Sequence, residues 1–116
     1  MIKQTDLTNP TLKEYAFLDC MYNDSYFPKF LVDKCKNILL TLCKDIEEQQ
    51  PTTLEELYQL THLSTNKIND LEGEFDENNS EIETVARECL AENFETIAQA
   101  YGFEADIEEL IATRDW

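Results

Sequence analysis

The chain has 116 residues, with 25 Asp and Glu against nine Lys and Arg, for a formal charge of −16. A hydrophobic fraction of 42% is enough for a packed core, and only two glycines and three prolines argue against a turn-rich β fold. A field this negative disfavours nucleic acid and anionic membranes as partners and points to basic ones.

The first element opens at Asn9 and Pro10, since proline suits the first helical position. Leu12, Tyr15, Ala16, Leu18 and Tyr22 predict a helix of about three turns, ended by "YNDSY". The second helix is predicted from Asp24 or Ser25 as cap, with Pro28 near its start. Phe27, Phe30, Leu31, Cys35, Ile38, Leu39, Leu42, Cys43 and Ile46 step by threes and fours. Val32 and Leu40 add apolar area off that stripe, which places this helix at the centre of the fold.

"QQPTT" breaks the chain, and Thr53 with Glu56 predicts a capping box for a third helix. Leu57, Leu60, Ser64, Ile68, Leu71 and Phe75 share one face of it. "THLSTNK" is poor in helix formers, so a kink or restart is expected at Ser64 or Thr65. Ser80 and Glu83 predict a second capping box before the stripe Ile82, Val85, Ala86, Cys89, Leu90, Ile97, Ala98 and Tyr101, which Gly102 ends. Asp106 and Glu109 predict a third box before Ile107, Leu110 and Ile111, with Trp116 folded back onto the core. The expected fold is all-α: a single-domain bundle of about five helices spanning 1–116, with the second helix central.

Charge is distributed unevenly. Residues 45–116 hold twenty acids and three bases, net −17, while residues 25–44 are net +3. "MIKQTDLTNP" lacks the apolar segment of a signal peptide, and no apolar run approaches the ~20 residues that span a bilayer. The four cysteines, Cys20, Cys35, Cys43 and Cys89, form no CxxC pair. The expectation is a cytoplasmic protein whose thiols are free and buried.

The acid-rich stretch "EFDENNSEIE" (74–83) resembles a calcium loop only at first sight. A loop begun at Asp76 places Glu81 where glycine is needed and Arg87 where a bidentate glutamate is needed. No metal or cofactor is expected. With one histidine, His62, a two-histidine zinc site is excluded. No phosphate loop, nucleophile elbow or kinase signature is present, so the balance is against an enzyme.

Two features remain after these exclusions. Acids crowd the C-terminal end of the third helix, where they oppose the helix dipole at about 0.3–1 kcal/mol each. Glu88 and Glu92 repel at i,i+4. Glu72, Glu74, Asp76, Glu88 and Glu92 are therefore the candidate residues for a basic protein partner. Asn93 sits inside an apolar stripe and must find hydrogen-bond partners. A structural bond to a neighbouring helix satisfies that need. Alternatively, Asn93 shares a polar ligand pocket with Thr61, His62 and Ser64 between the third and fourth helices.

Four strings carry a resemblance: "DSYFPKFLVDK" (24–34), "LEELYQLTH" (54–62), "NSEIETVARE" (79–88) and "AYGFEADIEELIATRDW" (100–116). From about Tyr15 to the end, the chain resembles a bacterial family of small acidic proteins known only as a domain of unknown function. The resemblance implies a stand-alone helical domain and carries over no catalytic or binding residues. The function expected from the residues is non-catalytic binding of a basic partner, as an immunity or antitoxin-like inhibitor binds a toxin. The alternatives are a small-ligand binder or enzyme using the Asn93 pocket, and a weak divalent-cation binder at the acidic helix ends.

Overall fold

The apolar stripes at three-and-four spacing fold as helices in the computed structural model, which describes residues 2–116. In chain order they are α1 (Pro10–Glu14), α2 (Asp19–Tyr22), α3 (Lys29–Gln49), α4 (Leu54–Asn69), α5 (Glu72–Glu77), α6 (Thr84–Ala100) and α7 (Ile107–Leu110), preceded by a 3-10 turn at Gln4–Asp6. Five of the α-helices have five residues or more, and no strand occurs among the described residues.

Helix α3 is the longest and buries eight residues, more than any other element. Val32 and Leu40 are among them, so α3 is covered on more than one side. Gln50 ends it in the left-handed region, and α4 folds back along it. Helix α6 packs against α1, α2 and α7, and α7 reaches α4. Trp116 is buried, as its position after the last apolar turn predicts. The radius of gyration, 13.4 Å, matches the ~13 Å of a packed chain of this length.

Side-chain caps decide several boundaries. Asn9 caps α1 through the amides of Thr11 and Leu12, with Pro10 at the first position. Thr53 Oγ1 accepts the Glu56 amide, while Glu56 Oε1 reaches back to the Thr52 amide. Asp106 caps α7 through Glu108. Gly102, with φ +86°, follows α6 as the left-handed stop.

Several expectations are corrected. The first predicted helix is two, because the chain turns extended at Tyr15 and is left-handed at Leu18, φ 55°, before α2 begins. Helix α3 starts on Pro28 without a side-chain cap, since Asp24 instead closes a turn onto the Tyr26 amide. Helix α4 runs unbroken through Ser64 and Thr65. Thr61 and Thr65 bond back to the carbonyls of Tyr58 and Thr61, which satisfies their hydroxyls inside the helix. The break falls later, before α5. Ser80 forms no capping box, because α6 begins only at Thr84, with Glu83 at the cap.

The thiols differ most. Cys20 and Cys89 are joined in a disulfide, with their Cα atoms 6.1 Å apart, linking α2 to α6. Cys35 and Cys43 are free and buried as expected, and burial pushes both thiols up to about 12.

Candidate acidic docking face

The non-helical stretch before α6 builds an exposed acidic feature. Ser80 donates its amide to the Phe75 carbonyl at 2.9 Å, closing α5 through Asn79 in the left-handed region. The chain then runs extended, and extended residues alternate sides. Ile82 turns inward and is buried, so Glu81 and Glu83 turn outward together. A hydrogen bond with Glu83 and the charge of Glu83 raise the Glu81 carboxyl above its usual range.

Opposite lies the turn before α3. The Asp24 carboxylate accepts the Tyr26 amide at 3.0 Å and fixes the turn. Phe27 is buried, while Tyr26 remains 47% exposed against it at a ring distance of 5.2 Å. A groove of about 230 Å³ separates the two segments, with Tyr26, Phe27, Val85 and Ala86 among its walls and Asp24, Glu81 and Glu83 at its rim. Packing at the wall, then the charges of Glu81 and Glu83, raise the Tyr26 hydroxyl.

Glu81 and Glu83 also line a second groove of about 360 Å³ with Glu72, Gly73 and Asp76. Partial burial and the charge of Asp115 raise the Glu72 carboxyl. The two grooves form one strip, apolar at the Tyr26 end and anionic at the Glu72 end. Only two ion pairs occur among the described residues, Lys34 with Glu74 at 2.6 Å and Arg114 with Glu108 at 3.3 Å. Neither involves a carboxylate of the strip.

Of the acids predicted for a partner, Glu72 and Asp76 lie in this strip. Glu74 is already paired with Lys34. Glu88 is exposed on α6, and Glu92 lines a different groove beside α2. Sequence reasoning passed over Tyr26, Val85, Glu81 and Glu83. The alternation of Glu81, Ile82 and Glu83 was the available signal, obscured by assigning the stretch to a helix start.

The polar candidates are spoken for separately. Asn93 is 2% exposed, accepts the Leu18 amide at 3.0 Å and donates to the Cys89 carbonyl at 2.8 Å. Thr61 bonds to Tyr58. His62 is half-buried, stacked on Tyr58, with its Nε2 2.7 Å from the Glu109 carbonyl. None of Thr61, His62, Ser64 and Asn93 is hydrogen-bonded to another of the four. Among the described residues, no three His, Cys, Asp or Glu side chains are grouped to hold a metal ion, and no helix is long and apolar enough to cross a membrane.

Neither the curated proteins nor the solved structures contain a match to this sequence. Residues 11–116, nearly the whole chain, match the model of a family described as a family of unknown function. The chain therefore belongs to that family, DUF5713.

Proposed function

We propose that this protein is a non-catalytic binding protein whose acidic strip engages a basic protein partner. The observation that carries the reading is the run of Glu72, Asp76, Glu81 and Glu83 with no ion pair to a cation among the described residues, ending on exposed Tyr26 and Val85. Glu81 and Glu72 have carboxyls shifted toward the protonated form by their surroundings. A Lys or Arg from outside favours the ionised form of both carboxyls, so the arrangement favours an external cation. The apolar end offers an anchor of the kind that fixes identity, while the −16 field accelerates encounter. An immunity or antitoxin-like inhibitor of a basic toxin is the concrete form of this reading.

Pull-down from the source lysate tests it, comparing wild type with Asp76→Asn/Glu81→Gln/Glu83→Gln. Wild type is expected to retain a basic protein at low ionic strength, with loss of that protein at high salt and with the triple variant. Equal retention by the variant, or a captured set without a basic protein, overturns the assignment.

A further inference from the structure

The disulfide is asymmetric in a way that gives its two sulfurs different chemistry. Cys89 is 2% exposed within α6. Cys20 is exposed on α2 and lines an open groove of about 270 Å³ with Tyr15, Ala16, Asp19, Glu92 and Asn93. Thiol–disulfide exchange requires a thiolate to approach one sulfur from the side opposite the other. Cys20 lines the groove while Cys89 is buried, so Cys20 is the half of the bond that a small thiol reaches. Attack on Cys89 requires entry through packed protein.

Leaving-group chemistry points the same way. Asn93 Nδ2 lies 4.0 Å from Cys89 Sγ, a donor beside the sulfur that is expelled when Cys20 is attacked. Asn93 is itself held by Leu18 and the Cys89 carbonyl, so the donor is in place before any reaction. The rim adds selectivity. Asp19 and Glu92 flank the groove, and Glu88 stands one turn away on α6. An anionic thiol is repelled there, and a cationic one is attracted.

We propose that Cys20 is a thiol-exchange site, selective for neutral or cationic thiols, with Cys89 as the buried resolving sulfur. A small-molecule thiolate forms a bond to Cys20 Sγ as the Cys20–Cys89 bond breaks. Cys89 leaves with the electron pair and takes a proton. The product is a mixed disulfide on Cys20 and a thiol at Cys89. A second thiol completes reduction by displacing Cys20 from the adduct, with release of the small-molecule disulfide. Cys89 reverses the first step by attacking Cys20 and expelling the small thiol. Cys35 and Cys43 take no part, because both are buried with thiols pushed up to about 12.

The experiment uses the full chain purified without reductant. Cysteamine, as the cationic thiol, and 2-mercaptoethanesulfonate, as the anionic one, are compared at equal thiolate concentration under native conditions. Samples are quenched in acid and mapped by mass spectrometry. The expected adduct is on Cys20, forming about tenfold faster with cysteamine at low ionic strength, with the gap closing in high salt. Asp19→Asn/Glu92→Gln should narrow the gap without changing where the adduct forms. In Cys89→Ala, iodoacetamide should alkylate Cys20 in the folded protein and leave Cys35 and Cys43 unmodified. Should that variant fail to fold, the adduct map of the wild type decides alone. Adducts on Cys89, exchange only after denaturation, equal rates for both thiols, or four free thiols in the untreated protein overturn the proposal.

Discussion

Asn93 on α6 accepts the backbone amide of Leu18 at 3.0 Å, across 75 positions of sequence. Leu18 is fully buried in a left-handed conformation, between α1 and α2, where no helix hydrogen bond serves its amide. The polar residue inside an apolar stripe therefore satisfies an interruption elsewhere in the chain. Asn93→Ala leaves a buried amide unpaired, at a cost of about 1–3 kcal/mol. Urea denaturation followed by Trp116 fluorescence should show that loss of stability. A change within error would mean that water replaces the bond.

A second long-range tether joins Tyr101 to Glu47, hydroxyl to carboxylate, at 2.6 Å. Glu47 also receives the amides of Thr8 and Asn9 at 3.0 and 3.1 Å. Burial alone raises its carboxyl, but these donors outweigh burial and hold it below its usual range. A depressed folded value contributes stability above the ordinary carboxylate range. That contribution is lost as pH falls through the folded value. Glu47→Gln should therefore be less stable than wild type at neutral pH and lose less on acidification. Parallel melting curves from neutral to acid pH check this, and parallel pH slopes would contradict it.

How much of this was legible follows from the range of each interaction. The long stripes of α3 and α6 repeat over many turns, so local periodicity located both helices and the end at Gly102. Asn93 was visible as an anomaly, but its partner was not, because nothing local marks Leu18 as left-handed. The Cys20–Cys89 pairing was equally hidden, since spacing says nothing about which thiols meet. For the candidate face, Glu72 and Asp76 were readable from acid density alone. Glu81 and Glu83 were missed because Ser80 with Glu83 matches a capping box. The buried Ile82 overrides that local pattern and delays the helix to Thr84.

The two capping motifs give a matched contrast. Thr53 Oγ1 accepts the Glu56 amide at 3.2 Å, so Thr53→Ala should cost about 1 kcal/mol. Ser80 is 1% exposed, and its hydroxyl has no hydrogen-bond partner among the described residues. Removing an unpaired buried hydroxyl is neutral or stabilising, because no bond is lost and a desolvated group is removed. Ser80→Ala should therefore melt at or above the wild-type temperature, while Thr53→Ala melts below it. A large loss in Ser80→Ala would mean that its hydroxyl has a bound partner in solution.

The strip itself should be detectable as a destabilising element. Glu81 is fully exposed, and its carboxyl is raised by Glu83, so ionising it works against the folded state. The sign is opposite to that of Glu47: the penalty is absent below the carboxylate range and complete once pH has risen through the raised value. Glu81→Gln should accordingly raise the melting temperature at neutral pH in low salt. The gain should shrink as added salt screens the repulsion and vanish in acid. A bound cationic partner should abolish the difference from the other direction, by neutralising the pair in the wild type. Calorimetric melts of both proteins across salt and pH measure the first effect, and repeating them with the captured partner measures the second. A variant no more stable than wild type at neutral pH would show that Glu81 and Glu83 do not repel, and would remove the electrostatic basis for a docking face there.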